Sequence, residues 1–188
     1  IEWMQYGGIL EPVLLETTAR THLSDVTIHA VPEGAGAAIN CKLEVAARAA
    51  AAADYTLTAA VESVSASDKV TLAPGSTVVR NIALRLPQAR KWAPATPNLY
   101  TLRVELRRGG QTIDARTERF GVRKVETQGR RILLNGEPLL VKGVNRYDEY
   151  GRYGPNAPRH LVVEDLRRMK AAGINFIRVH FPQSPALI

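Results

Sequence analysis

The sequence has little of what marks several protein classes. It has one cysteine in 188 residues, Cys41, so no disulfide can form within the chain and a disulfide-stapled scaffold is excluded. Aromatic residues make up 6% of the chain, which leaves little material for surfaces that stack on bases or sugars. No apolar run approaches the ~18 residues that a membrane-spanning helix needs. Hydrophobic residues at 45% and charged residues at 23% are ordinary globular proportions, which excludes a disordered or collagen-like chain.

The net charge of +7 is unevenly distributed along the chain. Residues 1–115 carry 11 Lys and Arg against 11 Asp and Glu, whereas residues 116–188 carry 14 against 7. The basic residues of the second segment are scattered and do not form the short basic run typical of nucleic-acid binding. We therefore expect a solvated basic surface around an anionic cleft that lies outside this chain, and no nucleic-acid partner.

The first two thirds of the sequence predict β-strands, because apolar residues alternate with polar ones. The predicted strands are Val26–Val31, Ala38–Val45, Asp54–Val64, Ser76–Leu86, Leu99–Arg107 and Gln111–Phe120. Turn residues separate them, including Pro74-Gly75 and a Gly109-Gly110 hairpin. The alanine-rich stretch 46–53 lies between two alternating runs and is interpreted as strand end plus loop. Six or seven short strands at this spacing favour an immunoglobulin-like β-sandwich.

A different pattern begins after about residue 123. Asn135-Gly136 predicts a tight hairpin, and Lys142–Asn145 ends a further strand. A helix with an apolar stripe begins near Pro158 and ends before Gly173, and Ile174–Val179 is typical of a buried parallel strand. Strand, loop, helix and strand in this order predict a βαβ unit. The sequence therefore predicts an all-β domain followed by the first part of an α/β domain.

Six segments carry recognisable motifs: Tyr6–Val13, Lys91–Leu102, Phe120–Val125, Leu134–Pro138, Lys142–Arg146 and Asn175–Pro182. Their content and order resemble family 2 of the glycoside hydrolases, the group of the β-galactosidases, β-glucuronidases and β-mannosidases. The resemblance implies three parts: the last strand of a sugar-binding jelly-roll domain in residues 1–19, an immunoglobulin-like β-sandwich in 20–122, and the start of a catalytic TIM (β/α)8 barrel in 123–188. The expected fold class is thus mainly β with an incomplete barrel, in a fragment truncated at both ends.

The resemblance also implies an activity for the parent protein, the hydrolysis of β-glycosidic bonds with retention, as in a β-galactosidase. Such enzymes use two carboxyl groups ~5–5.5 Å apart, one as acid/base and one as nucleophile. The resemblance places both as glutamates on later barrel strands, beyond Ile188, so we expect no catalytic residue within the chain and an inactive fragment. Glu164 and Asp165 fall in the predicted helix and are interpreted as solvated charges on the outside of the barrel.

Residues at the carboxyl ends of the two predicted barrel strands are the candidates for substrate binding or support, because active sites form at that face of a barrel. They are Asn145, Tyr147, Asp148, Arg178 and His180. By resemblance, Arg178 hydrogen-bonds the nucleophilic carboxylate and His180 binds a sugar hydroxyl. Only Val179 separates Arg178 from His180, one residue fewer than in the family. Tyr147 stands where the β-galactosidases carry a histidine, which leaves the sugar open.

The sequence assigns no cofactor or metal. Four scattered histidines and one cysteine give no zinc-ligand spacing, and no ligands can be assigned to the sodium or magnesium ions of the family's galactosidases. The expected partner is a carbohydrate substrate in the parent enzyme, without nucleic acid or membrane, and we expect a homo-oligomer or self-association through exposed barrel strands. The cellular location is left open.

Two other readings come from different functional classes. The chain could be a non-catalytic immunoglobulin-like carbohydrate-binding or scaffold module, in which case residues 20–122 alone would bind a sugar. The scarcity of aromatic residues speaks against that hypothesis, because sugar platforms are usually Trp or Tyr faces. A basic nucleic-acid binder is the third reading, and the scattered charge disfavours it.

Overall fold

The alternating stretches of the first two thirds form two antiparallel sheets. In the computed structural model, which describes residues 8–9, 13–147, 149–154 and 157–179, the order along the first sheet is β1-β2-β5 and along the second β4-β3-β6-β7. The strands are β1 Thr21–Glu33, β2 Gly36–Ala47, β3 Ala53–Val61, β4 Val64–Leu72, β5 Thr77–Leu86, β6 Tyr100–Arg108 and β7 Gln111–Phe120. Buried residues of both sheets belong to one hydrophobic cluster, so the two sheets form a β-sandwich.

The core of the sandwich lies between the sheets because every second residue of each strand points inward. Ile39, Cys41 and Leu43 on β2 are buried against Leu57 of β3 and Leu102 of β6 within that cluster. The predicted inward face of β2 is therefore confirmed. The alanine-rich stretch 46–53 also conforms to the prediction, since β2 ends at Ala47 and β3 begins at Ala53.

One strand, β4, was not predicted. The stretch Asp54–Val64 was predicted to be a single strand, which is wrong: β3 ends at Val61, and a two-residue turn leads into β4. The turn contains neither glycine nor proline, although Glu62 adopts a positive φ of 51° that usually calls for glycine. β4 itself contains several small polar residues of low strand propensity, and its burial is confined to Val70 and Leu72.

A small antiparallel sheet follows the sandwich, in the order β10-β9-β8. Its strands are β8 Val125–Gln128, β9 Arg131–Leu134 and β10 Glu137–Pro138. Asn135 and Gly136, with φ of 56° and 87°, form the turn between β9 and β10, which confirms the predicted hairpin. The Asn135 side chain donates from Nδ2 to the Trp92 carbonyl oxygen at 3.0 Å and accepts from the Lys124 amide at 2.9 Å. This side chain ties the small sheet to the end of the sandwich.

The last described segment is a βαβ unit, as predicted. It consists of β11 Gly143–Arg146, α1 Arg159–Ala171 and β12 Phe176–Val179, and the two strands pair in parallel. Gly173, with φ of 80°, follows the end of the helix. The predicted burial of β12 is wrong, because Phe176 and Val179 are 52% and 41% exposed. One helix covers only one face of a two-stranded parallel sheet.

By its internal contacts the chain divides into two compact units. One comprises Thr17–Leu139, and so contains both the sandwich and the small sheet; the other combines the described residues up to Glu16 with those from Leu140 onward. Among the described helices, none combines the length and the apolar character that crossing a bilayer demands. The three-part division of the chain expected from the resemblance stays a prediction, and most of its first segment lies outside the described residues.

Candidate functional site

The candidate site is built on the parallel pairing of β11 and β12. Asn145 of β11 lies directly opposite Arg178 of β12, so the two residues occupy the same position across the sheet. Opposite residues of neighbouring strands project from the same face. Both residues are exposed and lie in the carboxyl-terminal half of their strands. We call Asn145 and Arg178 the strand-end pair.

Helix α1 covers the other face of this sheet. Val144 and Ile177, which are also opposite each other, are half-buried, and Val162 of α1 is buried. Arg146 alternates with Asn145 and is only 5% exposed. Because side chains alternate along a strand, the strand-end pair projects away from the helix. In a barrel, the face away from the helices is the interior.

An asparagine clip sets the start of the two strands. The Asn175 side chain accepts from the Lys142 amide at 2.8 Å through Oδ1 and donates to the Leu140 carbonyl oxygen at 2.9 Å through Nδ2. Its own amide donates to the Lys142 carbonyl oxygen at 3.0 Å. Together these three bonds join the residues just before β11 to the residue just before β12. No role was predicted for the Asn175 side chain. In the sequence it stands out only as the first residue of the Asn175–Pro182 motif segment.

Gly143 belongs to the same face as the strand-end pair and lies against an aromatic ring. A Cβ atom at position 143 would lie 3.1 Å from Cδ1 of Phe176, its partner across the sheet. The ring of Phe176 therefore occupies the space beside Gly143, while half of its surface is exposed. A larger residue at 143 would have to displace this ring.

A hydrogen-bonded network joins the end of β11 to α1. The Arg146 Nη2 atom donates to the Tyr150 hydroxyl at 3.1 Å, and that hydroxyl donates to the Asp165 Oδ2 atom. Burial raises the pKa of the Tyr150 hydroxyl, and its bond to the Asp165 carboxylate raises it further. The prediction that Asp165 is a solvated charge is wrong, because the carboxylate is partly buried and held by Tyr150. Glu164 is exposed and pairs with Arg168, as expected of a solvated helix charge.

The structure places the five candidate residues unequally. It brings Asn145 and Arg178 together, and it puts Tyr147 on the loop after β11 with 48% exposure. Asp148 and His180 lie outside the described residues. The network residues Arg146 and Tyr150 were missed, because a buried arginine and a tyrosine in a polar loop carry no signal until the helix is packed against the strand.

The carboxylates of the βαβ unit do not form a catalytic pair within the part of the chain that the structure describes. Asp165 is engaged by Tyr150, Glu164 is paired with Arg168, and Glu149 is half-buried on the loop. Across the described residues there is also no group of three or more His, Cys, Asp or Glu side chains that could hold a metal ion. The candidate residues that the structure describes are therefore a guanidinium, an amide and an exposed phenol.

Comparison with known proteins places this arrangement in a family. The model of the glycosyl hydrolases family 2 matches residues 21–123, and the model of the glycosyl hydrolases family 2 TIM barrel domain matches residues 125–188. Among curated proteins, a β-galactosidase of Pseudoalteromonas haloplanktis is 36% identical over 110 residues, covering 57% of this chain and 10% of the relative. A β-galactosidase of Vibrio vulnificus is 36% identical over 104 residues, covering 54% of this chain and 10% of the relative.

Solved structures agree with this match. The crystal structure of a β-galacturonidase from Eisenbergiella tayi superposes with a TM-score of 0.82 at 26% identity, covering 88% of this chain and 30% of that one. A family 2 member from Bacteroides cellulosilyticus gives a TM-score of 0.85 at 22% identity, covering 90% of this chain and 25% of that one, and supports the fold. The chain spans about a tenth of the length of the curated relatives it matches.

These matches confirm the expected fold class, a mainly β chain in which a sandwich precedes the start of a TIM barrel domain. The described residues of that domain do not form a closed barrel. Their family models together cover nearly the whole chain in the order in which the sandwich and the βαβ unit occur. The chain belongs to family 2 of the glycosyl hydrolases.

Proposed function

We propose that this chain is part of an enzyme that hydrolyses β-glycosidic bonds with retention, and that it supplies support and substrate-binding groups to the active site. The observation that carries the proposal is the strand-end pair. Asn145 and Arg178 lie opposite each other, in the carboxyl-terminal halves of two parallel strands and on the face away from the helix. That end and that face are where TIM barrel enzymes collect the groups that act on substrate.

In this proposal Arg178 orients the nucleophilic carboxylate of the complete enzyme. A guanidinium hydrogen-bonded to a carboxylate favours its ionised form and restricts its orientation, both of which a nucleophile needs. Asn145, Tyr147, Asp148 and His180 bind hydroxyl groups of the sugar. A β-galactoside is the first substrate to test, since the curated relatives at 36% identity are β-galactosidases.

The chain alone is proposed to be inactive. Retention requires two carboxyl groups about 5–5.5 Å apart across the scissile bond. The carboxylates described on the βαβ unit are an ion-paired helix residue, a tyrosine-bound helix residue and one loop glutamate, so this unit supplies no such pair from its described residues. An aryl β-galactoside assay on the purified chain, free of host glycosidase, should show no turnover. Measurable turnover would overturn this part of the proposal.

The role of Arg178 is tested in the complete enzyme that contains this chain. Arg178→Ala should lower kcat by about a hundredfold, because the nucleophile loses a preorganised charged donor. The matched control is Arg167→Ala on α1, an exposed arginine outside the strand ends, which should leave kcat within about twofold. Equal rates for wild type and Arg178→Ala would remove Arg178 from the site.

A second candidate function, a non-catalytic carbohydrate-binding module, depends on exposed aromatic rings of the sandwich. Tyr55, Tyr100 and Phe120 are buried, and Trp92 is half-buried with the Arg123 guanidinium 4.7 Å from its ring. The described part of the sandwich therefore presents no open aromatic face to a sugar. Calorimetric titration of the chain with a glycan panel tests this alternative, and sugar binding that persists in Arg178→Ala would favour it.

A further inference from the structure

We propose that Arg146, Tyr150 and Asp165, here called the Tyr150 network, are positioning residues that hold the loop residues Tyr147 and Glu149 in place as part of the substrate-binding rim. The inference rests on the proposed function and deepens it, because it says what sets the substrate affinity of that site. None of the three is among the residues that the family motifs single out for contact with substrate.

A side-chain contact joins the two residues that flank the start of this loop. Arg146 ends β11, and its Nη2 atom donates to the Tyr150 hydroxyl at 3.1 Å, four residues along the chain. The segment between them, of which Tyr147 and Glu149 are described, is therefore flanked by two residues that this contact joins. Its first residue, Tyr147, is 48% exposed and thus faces solvent. Joining the flanking residues reduces the number of conformations open to Tyr147 and Glu149.

Tyr150 is also hydrogen-bonded to two other parts of the unit. Its amide donates to the Gly154 carbonyl oxygen at 2.9 Å, and its own carbonyl oxygen accepts from the Gly154 amide at 2.7 Å, which closes a turn. Its hydroxyl donates to Asp165 on α1. The loop is thus tied to the strand on one side and to the helix on the other. A phenylalanine at 150 would keep the turn and lose both side-chain ties.

The three side chains of the Tyr150 network are buried or half-buried. Arg146 is 5% exposed, and Tyr150 and Asp165 are half-buried, so their hydrogen bonds are partly shielded from water. Hydrogen bonds to charged groups contribute more than neutral ones. The Tyr150 hydroxyl accepts a hydrogen bond from the Arg146 guanidinium and donates one to the Asp165 carboxylate. Removing the hydroxyl therefore removes one hydrogen bond from each of these two groups.

The network faces the helix, whereas the strand-end pair projects from the opposite face of the sheet. Loss of the Tyr150 hydroxyl should therefore disturb the rim and leave the reacting groups in place. Such a change removes binding that is equal in the ground state and the transition state, which raises KM and leaves kcat unchanged.

The test uses the complete enzyme with an aryl β-galactoside. Tyr150→Phe and Asp165→Ala should each raise KM by about tenfold, with kcat within about twofold of wild type. The double variant should raise KM no further than Tyr150→Phe alone, because Tyr150→Phe already removes the contact that Asp165→Ala removes. Asp165→Asn retains a carbonyl oxygen that accepts the Tyr150 hydroxyl and should restore KM to within about twofold of wild type.

The matched control is Tyr153→Phe, which removes a phenol hydroxyl from the same turn. Tyr153 is 44% exposed, and its hydroxyl is hydrogen-bonded to none of the described residues, so its loss should leave KM unchanged. An unchanged KM in Tyr150→Phe, or a fall in kcat with KM unchanged, would overturn the positioning role.

Hydrogen exchange separates this inference from the proposed function. Tyr150→Phe should accelerate amide exchange at residues 147–149 relative to Tyr153→Phe, whatever the activity. If the wild-type enzyme hydrolyses no glycoside, the proposed function fails and the substrate role of the network fails with it, while exchange still decides whether the network holds the loop. Unchanged exchange at residues 147–149 overturns the positioning of the loop even in an active enzyme.

Discussion

At the scale of single residues, the cysteine of the core provides a probe of stability. Cys41 is fully buried between the sheets, and burial raises the pKa of its thiol from 9.0 to about 11. The thiolate is therefore disfavoured in the folded protein, and the thiol behaves as a small apolar side chain.

The raised pKa of Cys41 predicts a loss of stability at alkaline pH. Well below pH 9 the thiol is protonated in both the folded and the unfolded chain, so the stability that the buried thiol contributes is fully present. As the pH rises from 9 to 11 the unfolded chain releases the proton and the folded chain retains it, which costs about 2–3 kcal/mol. Urea unfolding of wild type and Cys41→Ala across this range should show the extra loss in wild type only. Parallel pH profiles would contradict the prediction.

The turn at Glu62 carries conformational strain. Glu62 has a φ of 51° at the first position of the two-residue turn between β3 and β4, where glycine is the favoured residue. Glu62→Gly should raise the free energy of unfolding by about 1 kcal/mol, because glycine adopts this φ without steric cost. Glu62→Val should lower it, since a β-branched residue is strained there. Chemical denaturation measures both, and equal stabilities for the two variants would show that the turn carries no strain.

At the scale of elements, the joint between the sandwich and the small sheet is closely packed around Trp92. The Trp92 amide donates to the Val122 carbonyl oxygen at 2.8 Å, and the Arg123 guanidinium lies 4.7 Å from the indole ring. Gly121 lies directly against the same side chain: a Cβ atom there would be 2.8 Å from Cβ of Trp92. The glycine is therefore required by a close approach.

Gly121→Ala should destabilise the unit by about 1–3 kcal/mol, the usual cost of forcing an extra methyl group into a packed contact. Gly151→Ala is the control, because a Cβ atom at 151 has no neighbour within 4 Å. Circular dichroism during urea unfolding compares the two variants. A Gly121→Ala protein as stable as the control would mean that the indole moves away without cost.

Asn135 combines two functions in this joint, a turn conformation and two hydrogen bonds. Asn135→Gly keeps the positive φ and removes the bonds to Trp92 and Lys124, so the loss in stability reports on the side chain alone. We expect a loss of about 1–2 kcal/mol, together with faster amide exchange in β8. A loss confined to global stability, with β8 as protected as in wild type, would contradict the role of Asn135 as the tie of the small sheet.

At the scale of the whole molecule, apolar side chains of the βαβ unit are open to solvent. Phe176 and Val179 on β12 are 52% and 41% exposed, and Leu140 before β11 is 73% exposed. Exposed apolar residues on a short parallel sheet favour association with further copies or further strands. We therefore propose that the isolated chain self-associates through the exposed apolar residues of the βαβ unit.

Sedimentation velocity tests the self-association. Val179→Lys should shift the chain toward the monomer, because it places a charge on the exposed surface of β12. Val79→Lys is the control, since Val79 is 40% exposed and lies on β5, within the Thr17–Leu139 unit. Wild type that sediments as a monomer at all concentrations would contradict the proposal, and so would equal effects of the two substitutions.

Local patterns of the sequence were sufficient for most elements of the fold. The alternation in Ala38–Val45, the Asn135-Gly136 turn and the helix that ends before Gly173 are each decided by residues within a few positions of one another. β4 was not predicted as a separate strand, because Glu62 adopts a positive φ and no glycine marks the turn in the sequence. Asn145 and Arg178 could be predicted as strand-end residues, since their position follows from where each strand stops.

The sequence by itself determined the order of sandwich and βαβ unit, and the motifs by which the family could be named. Only the tertiary structure decided which polar residues are buried and paired. Asp165 bonds Tyr150 across 15 residues, and Asn175 bonds Leu140 across 35, so both contacts depend on how the helix and the two strands pack. Hydrophobic periodicity is a local property of a chain, whereas the burial and pairing of a charge depend on elements far apart in sequence.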